Sequence, residues 1–492
     1  MEKVKKKNDA AYWIWVVVGL FFMFAFGHIC PTWSAVTPMG VTVIGIFIGL
    51  LLLITTTGEL IWPSLAALVA VVVNGYMGGA DAIKALLGST TILQVIVIMV
   101  LCAAIRDTGA GRVLAKKLIT MKFVQGRPLA LTMVLLVGFL FADIFLDSFG
   151  GILFGFTVLD SIREMTGYKK NDKYIQAMTV GIYLCGMIGA ALIPFTPMTL
   201  AITGAFGAAV AEAGIVFSPS FYIISAICVG VCFMIVYSLL IKFVFRCDMS
   251  KMADLKVDEI EAFRDTSTKF NSKQIIFLLA FVVGVAYAFV CEFIPQDTAL
   301  YAFLKPISLP VWFCFVIFVL AMIKIKGEPL MNCVRFFKEG PSWPMILTIG
   351  MFMIVGSALS SNDLGVKTWL LELLGPLFSN VPFPVFIFLI VAICAVVTNF
   401  FSNMATGVIA SGIVAPFVVV FASQGFNPSV IAAAIAYSSM FAFMTYAAAG
   451  PAPLLLGKEG IENKFIWTKG LITLVAYIII ASVVFSLMGF IL

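Results

Sequence analysis

Two aspartates lie within an apolar stretch of the sequence, and their spacing indicates ion chemistry. Asp143 and Asp147 are four positions apart, which would place both on one face of a helix. Carboxylates at membrane depth are costly and are typical of cation sites and proton relays. Both are therefore candidates for proton coupling, and Asp147 is also a candidate cation ligand. In the alternative interpretation, Asp147 caps the following helix and Asp143 bonds to a neighbouring helix.

Polar residues interrupt the apolar sequence at two places, which we call tip one (residues 143–151) and tip two (residues 398–406). In tip two, Ser402 and Asn403 are small and neutral, so they could coordinate a cation and donate hydrogen bonds to a carboxylate. A chain that turns at membrane depth leaves backbone groups without helical partners, and it persists only where it lines a protein-enclosed cavity. The two tips therefore predict a cavity within the membrane.

The next apolar segment after each tip contains prolines, and we call these places break one (residues 193–197) and break two (residues 447–453). Proline removes a backbone donor and frees a carbonyl one turn earlier. Unwound carbonyls suit Na⁺, whereas helix amino termini aimed at a cavity favour anions. Broken helices of this kind indicate the binding site of a transporter. The alternative for break two alone is a proline-kinked helix used for packing.

The composition places these features in a polytopic membrane protein. Of 492 residues, 62% are apolar and 11% are charged, against about a quarter charged in soluble domains. Several apolar runs are long enough to cross a bilayer as helices, whereas an outer-membrane barrel would show short alternating segments. We predict an all-α protein with eleven spans: 11–30, 40–56, 60–76, 90–106, 175–213 (broken), 216–245, 275–293, 309–325, 344–361, 430–456 (broken) and 471–491.

The positive charges set an expected orientation. With the amino terminus in the cytoplasm, only three of the 31 Lys and Arg fall in external loops, namely Lys84, Lys305 and Lys367. Cytoplasmic loops normally carry this excess. We therefore expect a bacterial-type cytoplasmic (inner) membrane protein with a cytoplasmic amino terminus and an external carboxyl terminus. The basic runs are topology signals and do not indicate nucleic-acid binding.

Four landmarks recur at an offset of 254 residues, which indicates an internal repeat: Pro128 with Pro382, Ser148 with Ser402, Tyr183 with Tyr437, and Pro197 with Pro451. The tips then lie in two re-entrant hairpins, 128–165 and 382–422. Five spans separate the hairpins, so the second enters from the opposite face and the repeats are inverted. In the alternative, each hairpin is a pair of full-length helices, and the repeats would still be inverted. The predicted divisions are 1–38 (tail and first helix), 39–245 (first repeat), 246–274 (cytoplasmic linker) and 275–492 (second repeat).

Other kinds of site find little support. The single histidine, His28, and ten scattered cysteines without a CxxC pair do not predict zinc or a disulfide framework. Six residues separate Gly450 from Gly457-Lys458 where a phosphate loop needs four, so ATP use is not expected. A Ser/His/Asp arrangement cannot be built on one histidine near the outer end of the first span. We expect no enzyme activity, and no cofactor or metal other than Na⁺ or H⁺ as coupling ion.

The sequence resembles the divalent anion:sodium symporter family of the ion transporter superfamily, in arrangement over nearly the whole chain. Ser402-Asn403-Met404 looks like the family's Ser-Asn-Thr tip. The segments Ala442–Gly457 and Gly181–Pro197 are similar to those leading into the family's breaks. Trp343–Leu359 followed by Asn362–Leu371 occupies the place expected before the second hairpin.

The resemblance implies a homodimer with a scaffold part and a moving transport part, working by an elevator-type displacement. It also implies a sodium site in each repeat, with the anion between the tips. The predicted cation ligands are Asp147, Ser148 (with Thr196 beside it), Thr398, Ser402, Asn403, Ala447 and Ala449. The predicted substrate-binding residues are Ser148, Phe149, Gly150, Thr196, Pro197, Ser402, Asn403, Met404, Gly450 and Pro451.

Tip one departs from the family pattern, because it has Asp147-Ser148-Phe149-Gly150 where the family has Ser-Asn-Thr. An ionised Asp147 would repel a dianion unless Na⁺ binds beside it or it is protonated. The expectation is thus a Na⁺- or H⁺-coupled symporter or exchanger for a small organic anion such as a C4-dicarboxylate. The alternative is a coupled carrier of a non-dicarboxylate substrate, or a cation/proton antiporter of the same superfamily; a passive channel fits the hairpins less well.

Overall fold

A computed structural model describes the chain over residues 9–119, 126–146, 148–253, 266–267, 269–295, 297–325, 327–361, 363–378, 381–446 and 448–492. Asp147, Ala447 and much of the predicted linker 246–274 lie outside these ranges, and all statements below concern the residues within them.

The described chain is almost entirely helical. Short 3-10 pieces at Ala211–Ala213 and Ser250–Met252, a π-helical turn at Leu240–Val244 and a two-stranded ribbon of β1 (Lys324–Ile325) and β2 (Glu328–Pro329) complete it. The α-helices are α1 (Asp9–Phe24), α2 (Phe26–Ile29), α3 (Pro38–Thr57), α4 (Ile61–Val73), α5 (Gly79–Leu87), α6 (Thr90–Asp107), α7 (Ala110–Ile119), α8 (Pro128–Leu146), α9 (Ser148–Thr166), α10 (Lys173–Gly189), α11 (Pro197–Val210), α12 (Pro219–Leu239), α13 (Ser272–Phe293), α14 (Ala299–Leu304), α15 (Leu309–Met322), α16 (Cys333–Glu339), α17 (Trp343–Ser360), α18 (Val366–Phe378), α19 (Phe383–Val397), α20 (Asn403–Ser423), α21 (Pro428–Ser439), α22 (Ala452–Leu456) and α23 (Asn463–Ile491).

Helix ends follow local sequence rules. Thr37 caps α3 by accepting a hydrogen bond from the Gly40 amide (3.1 Å), and Pro38 occupies the first helical position. At the other end, Gly58 has a φ of 74°, a left-handed conformation that suits glycine. Asn271 and Gln274 form a reciprocal capping box at the start of α13.

The fold class is confirmed as that of a polytopic all-α membrane protein. Seven helices are long and apolar enough to cross a membrane, and the pair α16 and α17, bent by 64°, forms an eighth candidate. The shorter apolar helices α1, α4, α11, α15 and α21 lie in the remaining predicted spans, and α19 lies in the second predicted hairpin. Helix α5 was not predicted, because Asp81 and Lys84 give it a polar face.

Each predicted hairpin is a pair of helices that meets at its tip. Helices α8, which ends at Leu146, and α9, which begins at Ser148, form the first, while α19 and α20 form the second around residues 398–402. The chain is also unwound at the two predicted breaks, between α10 and α11 and between α21 and α22. Both segments start earlier than predicted, directly after Gly189 and Ser439, and break one and break two refer to these full segments from here on. Re-entry into the membrane, inversion of the repeats and the division of the chain into domains stay predictions.

The hairpins and broken helices pack together with α12 and α23, and we call this set the hairpin group. Several contacts join its halves directly, two of which involve buried or partly buried side chains of facing helices and loops. The Tyr183 hydroxyl donates to the carbonyl of Ala442 (2.9 Å), and the Lys458 ammonium contacts the Asp160 carboxylate (2.7 Å). A second set of helices, α6, α13, α15, α16 and α17, packs beside it, and we call these the α6 group. The candidate site lies between the two groups.

Candidate functional site

Both tips and both breaks converge on one cavity of about 430 Å³. Seven of the ten predicted substrate-binding residues line it, whereas Gly150, Ser402 and Met404 do not. Tip one also touches break two, since a Cβ added at Gly450 would lie 3.4 Å from the Phe149 ring. The seven lining residues are Ser148, Phe149, Thr196, Pro197, Asn403, Gly450 and Pro451.

Three helices of the described chain begin at this cavity. Ser148 is the first residue of α9, Pro197 of α11 and Asn403 of α20, and all three line the cavity. A helix amino terminus carries roughly half a positive charge, because its first amides lack helical partners. The arrangement therefore makes the cavity electropositive through the backbone alone.

Arg106 adds a full positive charge, and sequence reasoning missed it. It lies near the end of α6 and is the only charged side chain among the described residues that line the cavity. The neighbouring acid along the chain, Asp107, contacts the guanidinium of Arg335 at 2.8 Å. In the sequence Arg106 counted only as one of many cytoplasmic positive charges. The cavity thus combines backbone dipoles and a guanidinium, a combination that favours an anion.

Tip two holds break two in place through buried polar contacts. The Thr398 hydroxyl donates to the carbonyl of Ser439 at 2.5 Å. The Asn403 amide contacts Sδ of Met440 at 3.4 Å, and its Oδ1 accepts from the Met404 amide at 3.2 Å. Thioether sulfur is a weak acceptor, so most of the hydrogen-bonding capacity of Asn403 remains for a ligand.

Asn399 is the second residue that sequence reasoning did not single out. It is fully buried, and its Nδ2 donates to the carbonyls of Ala395 (2.7 Å) and Phe441 (3.0 Å). Its Oδ1 accepts from the amides of Phe443 (2.9 Å) and Met444 (2.8 Å). One side chain therefore satisfies three backbone groups of the unwound segment after α21. An amide side chain directly after an apolar segment, in the turn of tip two, was the available signal.

Break one is stabilised by hydroxyl groups. Tyr222 donates to the carbonyl of Ala191 at 2.9 Å, and Thr199 donates to that of Ile193 at 3.1 Å. The hydroxyls of Thr196 and Thr199 lie 2.8 Å apart. The backbone groups freed by this break therefore have partners within the protein, as membrane burial requires.

The predicted cation ligands of the second repeat belong to tip two and break two, whereas Asp147 and Ser148 belong to tip one. Ser402 precedes α20, and its carbonyl accepts from the amide and hydroxyl of Thr406. Ala449 is buried beside break two, and its carbonyl accepts from the Ala452 amide at 3.0 Å. Asp147 and Ala447 lie outside the described residues. Within the described part of the chain, no group of three His, Cys, Asp or Glu side chains is arranged to hold a metal ion.

Asp143, the first residue of tip one, is buried at the end of α8, and it does not line the cavity. Its side chain is 1% exposed. A Cβ added at Gly151 of α9 would overlap its Oδ1, and one added at Gly189 of α10 would lie 3.0 Å from its Cβ. The carboxyl group thus fits between three helices because two of them carry glycine where they face it.

We expect Gly151→Ala to destabilise the protein, since the added methyl group would force Asp143 and α9 apart. The cost should be about 1–3 kcal/mol, as for overpacked cores. Thermal unfolding of the purified protein would measure it. Gly412→Ala in α20 is the matched control, because nothing lies within 4 Å of an added Cβ there. Equal melting temperatures for the two variants would contradict the packing described for Asp143.

Comparison with known proteins agrees with this picture. The profile of the CitMHS citrate transporter family matches residues 50–418. No curated protein sequence matches the chain significantly. Among solved structures, the YdaH transporter of Alcanivorax borkumensis is similar with a TM-score of 0.54, at 12% identity and over 97% of each chain. At that identity the likeness shows the fold alone. The family profile covers most of the sequence, and the chain therefore belongs to the citrate transporter family.

Proposed function

We propose that the protein is a secondary active transporter that moves a small carboxylate anion across the cytoplasmic membrane, coupled to Na⁺ or H⁺ by symport or exchange. The observation that carries this proposal is the convergence of two tips and two breaks on one electropositive cavity. Its volume of about 430 Å³ lies within the range of small-molecule sites. A C4-dicarboxylate and, given the family's name, citrate are the cargoes to test first.

Coupling to Na⁺ is proposed at Thr398, Ser402, Asn403, Ala447 and Ala449, with a counterpart at Asp147, Ser148 and Thr196. Unwound backbone beside small polar side chains supports this assignment, as does the resemblance to the divalent anion:sodium symporters. Coupling to H⁺ is proposed at Asp143 or Asp147. A carboxyl group buried behind the cavity, as Asp143 is, supports this second possibility.

The same buried carboxyl group favours a second candidate function, cation/proton antiport or coupled transport of a non-dicarboxylate. An antiporter would exchange its ions without any organic anion. Arg106 and the three helix amino termini in the cavity weigh against it, because they disfavour a cationic cargo. We therefore rank anion transport first.

For the assembly we propose a homodimer in which the hairpin group moves against the α6 group. The placement of the cavity between these two groups supports such a displacement. The positions of the Lys and Arg residues support a cytoplasmic amino terminus and an external carboxyl terminus.

Uptake by reconstituted vesicles tests the function. Labelled citrate and succinate should accumulate under a Na⁺ or an H⁺ gradient and not without one. Asp147→Asn should abolish the coupled uptake if this carboxylate binds the coupling ion, and retained uptake would make Asp147 a helix cap. Exclusion of both anions under both gradients, in vesicles with verified folding and sidedness, would contradict the proposed cargo.

A further inference from the structure

The cavity has two walls that belong to different groups of helices. The residues of the tips and breaks come from the hairpin group, whereas Met99, Cys102, Arg106, Gly340, Ser342 and Met345 come from α6, α17 and the bend between α16 and α17. The only full charge among the described lining residues therefore lies on the wall opposite the tips.

Two contacts join the end of α6 that carries Arg106 to other helices of the α6 group. Asp107 contacts Arg335 of α16 at 2.8 Å, and the carbonyl of Thr108 accepts from the Gln274 side chain of α13 at 2.8 Å. At the bend between α16 and α17, a Cβ added at Gly340 would lie 3.1 Å from the Met99 carbonyl oxygen. These contacts therefore tie the end of α6 to helices that carry neither a tip nor a break, whereas α7, which follows α6, packs against α8 of the hairpin group.

The positive helix ends in the cavity belong to the hairpin group and not to the α6 group. The amino termini of α9, α11 and α20 belong to the hairpin group, and its halves are joined by the Tyr183–Ala442 and Lys458–Asp160 contacts. If the hairpin group moves, these amino termini move with the bound anion. Arg106 stays with α6, so its distance from the anion changes during the transport cycle.

From this we infer that Arg106 is a one-sided anion contact that strengthens binding of the carboxylate only while the cavity opens on the face where α6 ends. The inference rests on the proposed function, including the displacement of the hairpin group. A contact made in one state and absent in the other gives the two faces different affinities for the same cargo. Arg106 would thereby favour capture or slow release on its own face.

The test measures KM from each face separately. Wild type and Arg106→Gln are reconstituted in vesicles of determined orientation, and transport of labelled citrate and succinate is started from either side. We expect KM of Arg106→Gln to rise roughly tenfold on the face where α6 ends, as for loss of a charged hydrogen bond. On the opposite face KM should stay within about twofold of wild type.

Two further variants separate a specific contact from a general charge effect. Arg106→Lys keeps the positive charge and should recover most of the affinity on the affected face. Lys338→Gln removes an exposed positive charge from neighbouring α16, outside the cavity lining, and should change neither KM. Thermal unfolding of every variant checks that folding is preserved.

The outcomes distinguish the inference from the function on which it rests. An equal rise in KM on both faces, or no rise on either, overturns the one-sided role of Arg106 while wild-type transport still supports the proposed function. Failure of wild type to transport either anion from either face overturns the proposed cargo and the inference with it.

Discussion

Asn403→Ala should reduce coupled uptake by about a hundredfold, or to background, while the fold stays intact. The Asn403 side chain is 2% exposed, lines the cavity and lies at the first position of α20. Its protein partners are a thioether and the amide of the next residue, so little folding energy depends on it. Loss of hydrogen bonds to a charged cargo or a coupling ion carries a much larger penalty, about 1.5–3 kcal/mol each.

The measurement is the initial rate of labelled citrate and succinate uptake, with thermal unfolding as a check on folding. Met404→Leu provides the matched control, because Met404 is buried next to Asn403 but does not line the cavity. That substitution nearly conserves volume and should leave uptake close to wild type. Normal uptake by Asn403→Ala would remove this residue from the proposed site.

Asn399→Ala should have a different effect, a loss of stability of at least about 3 kcal/mol together with loss of transport. The substitution leaves the Phe441 carbonyl and the Phe443 and Met444 amides without their side-chain partner in a buried segment. Each such group costs about 1–3 kcal/mol when no water can replace the lost bond. Break two should lose its geometry as a result.

Unfolding can be followed with a thiol-reactive dye, because Cys185 and Cys394 are buried and become reactive when the protein opens. The control is Asn427→Ala, which removes a single cap contact to the Ser429 amide (2.9 Å) and should cost about 1 kcal/mol. If both variants unfold at the same temperature, Asn399 does not hold the break as we describe.

The hairpins and breaks could be predicted because their signals are local. Proline, glycine and small polar residues in an otherwise apolar chain have few roles other than turns and unwound helices. The agreement of α19 and α20 with hairpin 382–422 shows how far such signals reach. For the hairpins, the residue types along the chain were sufficient for the prediction.

The missed residues required three-dimensional information. Arg106 enters the cavity wall only because α6 packs against the 64° bend between α16 and α17, and that bend is a tertiary feature. Asn399 differs from its neighbour Phe400 in orientation: Asn399 is fully buried and turned to break two, while Phe400 is half exposed. The orientation of each side chain at tip two could not be predicted from the sequence. The same orientation places Asn403 in the cavity lining and Ser402 outside it.

The tyrosine contact at break two has a consequence for the order of biogenesis. The first break obtains its hydroxyl from Tyr222, a residue of the same half of the chain, so it can be completed as soon as that half is inserted. The second break depends on Tyr183, which lies more than 250 residues before Ala442. Because the amino-terminal half leaves the ribosome first, the donor is already in the membrane when its acceptor arrives. Synthesis from the amino terminus therefore allows break two to form its hydrogen bond with Tyr183 as soon as Ala442 is inserted.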